Sequence, residues 1–406
     1  MAFYKKTIQT VPIEGSTVLL RTDYNVPLEN DGTIADDFRI RASLPTIEYL
    51  LKNRCKVVIV SHLGRPEGRE LKYSLEQAAL RLAELLGMPV HFVGETVGDR
   101  VKMAVKRVPS TGVIVLENLR FDSREEANDD EFARQLAECS GARYFVQDGF
   151  GVVHRAHTST EAITHYLPGV AGLLLEREVA TIVAAMKSPE RPLVAVMGGA
   201  KVSDKIALVQ RFVEVADKII IGGAMANTFL AYKGYDMGNS KVESGQEQVL
   251  DAIYDAAATK VGKDDVDDFI ILPTDVAVAY DGDTSESRQV VSIDEIDPAA
   301  AAVDIGSHSS ETIEKEIASA KTVIWNGTLG RAEMSNYSEG SARLASALAS
   351  RPNITSIIGG GDTADFVQHW DEKEGASFTH VSTGGGASLE LMAGEKLPGV
   401  ESLLDA

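Results

Sequence analysis

The sequence predicts an α/β protein built as two similar-sized, doubly wound parallel-sheet domains joined by a hinge helix. Three observations carry this reading. At 406 residues the chain exceeds what one hydrophobic core usually supports, so two domains are expected. Short, unbroken aliphatic runs recur, each followed by a stretch with helical periodicity, and that alternation implies parallel strands covered on both faces. The residues that close the strands also change character, from arginine and histidine in the first half to glycine clusters in the second.

In the first half the strands are Thr17 to Asn25 (TVLLRTDYN), Lys56 to Gly64 (KVVIVSHLG), Val113 to Phe121 (VIVLENLRF) and Tyr144 to Gly151 (YFVQDGFG). Helices are expected over Ile40 to Asn53 and over Ser74 to Leu86, the second opening at a serine N-cap and closing at Gly87. In parallel sheets ligands bind beyond the carboxyl ends of the strands. Those ends hold Arg21, Asp23 and Asn25, then His62 and Arg65, then Asn118 and Arg120, and then Asp148 leading to Arg155 and His157. A chain with 60 Asp and Glu against 40 Lys and Arg has gathered its cations at one sheet edge, which points to a small anionic substrate. Any one of these arginines alone would read as a surface ion pair.

Leu167-Pro168-Gly169 breaks the pattern, and Gly172 to Lys187 reads as an amphipathic helix stopped by Ser188-Pro189 and Arg191-Pro192. This gives a first domain over 1–170, a connecting hinge helix over 171–190, a second domain over 191–390 and a tail over 391–406. The tail contains LPGVESLL, apolar enough to pack near the hinge or on the first domain.

The second half opens with LVAVMGGAKVSDK, Leu193 to Lys205, read as a strand, a glycine turn and a helix beginning at Ala200. Glycine N–H groups and a helix N-terminus at that point would suit a phosphate-sized anion, with Lys201 and Lys205 on one helical face. A plain strand-to-helix turn with solvated lysines fits the same stretch. The strand ends Ile219 to Gly223, Ile357 to Gly361 and Val381 to Gly386 repeat the glycine cluster, and four such ends suggest a crevice for a nucleotide. Asp362 and Thr363 follow the third cluster, where Asp362 is either a Mg²⁺ ligand or a plain N-cap. Gly262 to Asp268 and Tyr280 to Arg288 read as solvated connections.

The formal net charge of -20 argues against nucleic acid or an anionic membrane as partner. Two cysteines, Cys55 and Cys139, form neither a disulfide framework nor a metal-ligand spacing. The first residues lack the apolar segment of a signal peptide and no run is long enough to span a membrane, so a cytoplasmic, reduced protein is expected. Neither GxxxxGK[ST] nor the HRD and DFG pair of protein kinases is present, so a nucleotide would be held in another way.

The set RTDYNVP (Arg21 to Pro27), SHLGRP (Ser61 to Pro66), ENLRF (Glu117 to Phe121), DGFG with HRAH (Asp148 to His157), GGAKVSDK (Gly198 to Lys205), WNG (Trp325 to Gly327), GGGDT (Gly359 to Thr363) and STGGGASLE (Ser382 to Glu390) closely resembles the phosphoglycerate kinase family, in that family's order. The resemblance implies two α/β domains with a cleft between them. It also implies the reaction 1,3-bisphosphoglycerate + MgADP ⇌ 3-phosphoglycerate + MgATP, with Mg²⁺ as cofactor, hinge closure and a monomer. Carried onto this chain, it implies that Asp23 and Asn25 hold the glycerate, while His62, Arg65, Arg120 and Arg155 hold the non-transferred phosphate. Arg39 and Lys201 would act on the transferring group, and Lys205 and Asn326 would meet the nucleotide phosphates. Gly222 and Gly223 would line the adenine pocket with Gly306 as a further contact, and Glu333 would bind the ribose. Gly359, Gly360, Gly361, Asp362 and Thr363 would hold phosphate, with the metal on Asp362, and Gly384 to Gly386 would seat a helix N-terminus. The chain departs from the family pattern at Ala224, Thr328 and Ser307, around the nucleoside pocket. The acidic composition fits a halophilic archaeal member. A binding protein without catalysis is the competing reading, and the completeness of Arg39, Lys201 and Asp362 separates the two.

Overall fold

Each aliphatic run becomes a strand because its residues are buried on both faces of a sheet, where continuous Val, Ile and Leu pack best. The computed structural model describes residues 3–280 and 288–406, and the polar stretch read as part of an exposed loop over 280–288 lies, for 281–287, outside the described residues. The chain divides into two compact units: residues up to Ala180 together with Lys396–Ala406, and Thr181–Glu395.

Unit 1 runs β1 (Thr17–Arg21), α1 (Phe38–Lys52), β2 (Lys56–Val60), α2 (Glu76–Leu86), β3 (Val90–Val93), α3 (Asp99–Arg107), β4 (Val113–Leu116), α4 (Asp130–Ser140), β5 (Tyr144–Gln147) and β6 (Gly169–Ala171). Its six strands pair in parallel in the order β3-β4-β2-β1-β5-β6, so β1 is central and its register with β2 places Arg21 beside Val60. The core beneath them includes Val18, Leu20, Tyr24, Ile40, Ile47, Val57 and Ile59. α2 ends at Gly87 with φ 62°, the left-handed cap expected there. Its start is held from elsewhere: the buried Glu117 accepts from the Leu75 N–H at 3.0 Å and from the Ser74 hydroxyl at 2.9 Å.

α5 (Leu173–Lys187) carries the chain from unit 1 into unit 2. Unit 2 continues with β7 (Leu193–Met197), α6 (Ile206–Val215), β8 (Lys218–Ile221), α7 (Gly223–Tyr232), α8 (Glu247–Val261), α9 (Val266–Phe269) and β9 (Ile270–Ile271). It is completed by β10 (Asp275–Tyr280), β11 (Gln289–Ser292), β12 (Ala300–Ile305), α10 (Ser307–Ser319), β13 (Thr322–Asn326), α11 (Glu339–Ala349), β14 (Thr355–Gly359), α12 (Gly361–Trp370), β15 (His380–Val381) and α13 (Gly385–Ala393). Six strands form a parallel sheet in the order β15-β14-β13-β7-β8-β9, over a core that includes Trp325, Val196, Ile358 and Leu344.

Two parallel-sheet α/β units are therefore the fold class the sequence indicates. The antiparallel sheet β11-β10-β12 is an addition to it. Gly262 to Asp268 is solvent-exposed as expected at every position but Val266, which turns inward with the following Phe269 and anchors a short helical turn. The final residues belong to unit 1, where Lys5 Nζ donates to the Glu401 and Leu403 carbonyls and Leu397, Val400 and Leu403 are buried.

Candidate active site

In unit 1 the cationic residues meet at the carboxyl ends of β1, β2, β4 and β5, and the structure divides them into supports and groups left accessible. Arg21 is a support. Its side chain is fully buried, donating from Nε to Ser159 Oγ at 2.8 Å, from Nη1 to the Thr22 carbonyl at 2.6 Å and from Nη2 toward His62 Nδ1 at 3.2 Å. An arginine only donates, so His62 Nδ1 accepts and the ring carries its proton on Nε2. Burial, then Arg21, Arg120 and Arg39 in turn, hold His62 well below the usual histidine range. Burial, then Arg21, Arg120 and Arg155, lower His157 to about 4 against the opposing Glu126. Both rings are neutral at pH 7, poised beside a surplus of positive charge.

Asn118 is also a support, accepting from Leu63 and Arg120 N–H and donating to the Leu63 and Tyr73 carbonyls. Arg120 donates to the Gly64 carbonyl at 2.7 Å and pairs with Glu126 at 3.0 Å. Burial lowers its pKa, and Arg155 and Arg65 lower it further, so these guanidinium groups share one field. Arg155 lies against His154, and Arg65 is exposed. Asp23 pairs with Arg39 at 2.7 Å, and Asn25 Oδ1 accepts from the Gly64 N–H at 2.8 Å. Asp23, Asn25, Arg39, His62, Arg65, Arg120 and Arg155 thus lie around one strand-end surface.

In unit 2 the structure corrects the reading of LVAVMGGAKVSDK. The N–H groups of Gly198 and Gly199 donate to the Asn326 and Thr328 carbonyls at 2.9 and 3.1 Å, so they are not available to an anion. Those of Gly222 and Gly223 are likewise taken, by Met197 and Leu329 carbonyls. Close approach of backbone to backbone is what demands glycine here: a Cβ on Gly198 would lie 2.2 Å from the Thr328 oxygen, and one on Gly223 would lie 2.8 Å from the Gly199 nitrogen. The helix begins at Ile206 rather than Ala200, because Val202 turns inward to full burial and Lys205 takes φ -132° as the N-cap of α6. Lys201 and Lys205 therefore do not share a helical face. Lys201 is exposed, whereas Lys205 reaches inward, its Nζ donating to the Gly198 carbonyl at 2.8 Å and to that of Asn326 at 3.3 Å.

Gly306 is buried at the start of α10, and a Cβ there would fall 2.2 Å from Cγ of Asp275, whose carboxylate caps the His308 and Ser309 N–H groups, so glycine is required on that side by the packing of Asp275.

The open donors lie farther along the same edge. Gly361 and Gly385 begin α12 and α13, and a Cβ on Gly385 would stand 3.5 Å from the Gly361 nitrogen, so two helix N-termini lie side by side with room around Gly361. Thr363 Oγ1 accepts from the Gly327 N–H at 2.7 Å and fixes the first turn of α12 against the end of β13. Between these elements sits Asn326, fully buried, with neither side-chain amide atom partnered; Cβ positions at Gly359 and Gly360 fall 3.3 Å from its Nδ2. A buried amide without a protein partner is completed by water, an ion or a ligand, and this one lies beside the open helix N-termini. Burial lowers Lys205 to about 8, opposed by Asp362 and Asp204. A cavity of about 500 Å³ adjoins, lined by Thr328, Ala332, Glu333, Asp362, Phe366 and Trp370 among others. This edge pairs two helix dipoles, a half-buried lysine and an unfilled amide, which together suit a polyanion.

The phosphoglycerate kinase family model matches residues 8–395. The chain belongs to the phosphoglycerate kinase family. A phosphoglycerate kinase from Pelotomaculum thermopropionicum is 43% identical over 404 residues, covering 99% of each chain, and one from Chloroflexus aggregans is 44% identical over 407 residues. The solved phosphoglycerate kinase of Coxiella burnetii superposes with a TM-score of 0.84 at 34% identity over 98% of each chain, and that of Pyrococcus horikoshii OT3 with 0.83 at 31% over the same share. The curated relatives are bacterial, which does not support a halophilic archaeal origin. An acidic surface keeps a protein soluble in many settings and does not by itself report habitat. Within the phosphoglycerate kinase pattern, the departures are local: Thr328 Oγ1 closes its own turn on the Gly330 carbonyl at 3.0 Å, Ala224 sits in the first turn of α7, and Ser307 is exposed at the start of α10.

Proposed function

We propose that this transferase interconverts 1,3-bisphosphoglycerate and MgADP with 3-phosphoglycerate and MgATP, in glycolysis and gluconeogenesis. The observation that carries the reading is the unpartnered Asn326 amide between the half-buried Lys205 and the paired N-termini of α12 and α13, a place shaped for nucleotide phosphates. Asp23 and Asn25 hold the glycerate, and His62, Arg65, Arg120 and Arg155 hold the phosphate that stays. Arrival of that anion raises the depressed histidine pKa values and draws protons onto the rings, adding charge where the ligand is negative. Glu333 meets the ribose from the cavity it lines. Gly222 and Gly223, with their N–H groups already used and Gly222 backed by Leu329, line the adenine pocket with Gly306 as a further contact, while Gly359 to Thr363 meet phosphate.

When 3-phosphoglycerate attacks, its carboxylate is the nucleophile and is ionised at neutral pH with a pKa of about 4 by side-chain analogy, so no general base is needed. Catalysis comes from alignment and from charge placed on the transferring group, through Arg39 and Lys201. Asp362 fits Mg²⁺, which usually binds through one or two carboxylates together with substrate phosphates: it is a hard, exposed oxygen donor at the open end of α12. Held there, the ion would supply positive charge against the nucleotide phosphates. Because the two substrates are assigned to different units, transfer requires them to close on each other and exclude water; unchanged scattering profiles in the ternary complex would count against this. The reading includes a monomer working in the cytoplasm, checked by sedimentation and fractionation.

The direct test couples ADP formation to a reporter with 3-phosphoglycerate, ATP and Mg²⁺ as substrates. Chelation is expected to cut the rate by at least ~10²-fold and added Mg²⁺ to restore it. No turnover at low and high salt would favour the binding-only reading. Lys205 supplies a pH test. It is cationic below its pKa of about 8 and neutral above, so affinity for a non-hydrolysable ATP analogue should fall as pH rises from 7 to 9, by up to roughly tenfold per unit past the break. Lys205→Met should bind weakly at every pH and show no break.

A further inference from the structure

Lys201 sits on a bridge two residues long. On one side the Gly199 N–H is tied to the Thr328 carbonyl at 3.1 Å, and on the other the Val202 N–H is tied to Glu243 Oε2 at 2.7 Å, leaving Ala200 and Lys201 between. Glu243 lies in the connection between α7 and α8, some forty residues along the chain, and its own N–H is held by Thr228 Oγ1 of α7 at 3.1 Å. The carboxylate takes three donors from the turn: the Val202 N–H, the Ser203 N–H at 3.1 Å and the Ser203 hydroxyl. Burial pushes the Glu243 carboxyl up, but the Ser203 hydroxyl and the two N–H groups outweigh it and keep it below the ordinary glutamate range, with Lys201 adding to the effect. The stretch is also held by the buried Val202 side chain, by the Lys205 N–H donating to the Val202 carbonyl at 2.9 Å and by the Met225 N–H donating to the Gly199 carbonyl at 2.9 Å.

We infer that Glu243 is a positioning residue for phosphoryl transfer: by clamping the Val202–Ser203 turn it fixes where the Lys201 ammonium points. The inference rests on the proposed role of Lys201. A mobile Lys201 still presents charge, but no longer at the distance the transition state requires, and misplacements of about 1 Å cost up to ~10²-fold in rate. Neither ground-state site depends on that distance, so the effect falls on kcat rather than on KM.

The test compares Glu243→Ala, Glu243→Gln, Lys201→Ala and the double variant K201A/E243A with the parent in the coupled assay. Glu243→Ala is expected to lower kcat by about tenfold to thirtyfold, with KM for 3-phosphoglycerate within about twofold. Glu243→Gln, which keeps an oxygen acceptor for the turn, should recover to within about threefold of the parent. K201A/E243A should be no slower than Lys201→Ala alone, because one residue acts through the other. Full activity in Lys201→Ala would overturn the role of Lys201 itself. A slow Lys201→Ala with a Glu243→Ala as fast as the parent, or a double variant slowed by the product of both effects, would overturn the role of Glu243. E243D keeps the charge but shortens its reach, and carries the same comparison should Glu243→Ala fail to fold: slower than Glu243→Gln supports the clamp, and parent-like kcat overturns it.

Discussion

Arg39→Ala and Lys201→Ala are each expected to lower kcat by ~10²- to 10³-fold, the scale of losing one preorganised donor to a charge that develops in the transition state. The two should differ in their side effects. Lys201 is exposed, so its removal leaves the fold and the substrate sites intact, and KM should change little. Arg39 is paired with Asp23 at 2.7 Å, and its loss leaves that nearly buried carboxylate without its cation. Arg39→Ala should therefore also raise KM for 3-phosphoglycerate, since an uncompensated negative charge then faces an anionic substrate. Arg39→Lys restores charge but not the planar two-pronged donor, so its rate should fall between parent and alanine variant. Initial rates in both directions decide the matter, and full activity in both alanine variants would refute the assignment.

Glu125→Ala should be the most destabilising single change among those considered, by about 3–5 kcal/mol, because it strands a buried guanidinium. Glu125 and Arg21 are both fully buried and are linked through Ser159, whose hydroxyl donates to Glu125 Oε1 at 2.5 Å while accepting from Arg21 Nε at 2.8 Å. The Ser159 N–H donates to the second carboxylate oxygen at 3.1 Å. Removing the carboxylate takes away the stronger of the two acidic influences on Arg21, leaving it with Asp23 against the positive charge of Arg120. Glu125→Gln keeps hydrogen-bonding capacity and loses only charge, so a smaller shift is expected. The urea midpoint of unit 1 unfolding, read by probes confined to it, measures both; equal stability of Glu125→Ala and parent would show that the charge is balanced elsewhere.

The parallel strands were readable because β1, β2, β4, β5 and β7 are sealed on both faces, which leaves no polar interruption in their runs. β3 escaped because it is an edge strand with partly exposed Val90, Phe92 and Val93, and β9 because it is two residues long; β15, equally short, showed only through the glycine cluster that closes it. At the site, residue identity pointed to the right surface, but the sequence does not show where an N–H group already has a partner. That is why Gly198 and Gly199 resembled an anion cradle while the open donors lie at Gly361 and Gly385. The acidic supports were equally hidden. Glu117, Glu125, Asp275 and Glu243 each hold backbone some thirty to forty residues away, and no local pattern reports such a distance.

The backbone lacing of Gly198, Gly223 and Gly327 also says where this enzyme has latitude to change. A single methyl at any of the three collides with main-chain atoms of another loop, whereas Gly361 has no neighbour within 4 Å of that position. Retooling for an altered nucleotide would therefore begin at 361 and at the Thr328 side chain, and leave the laced trio alone.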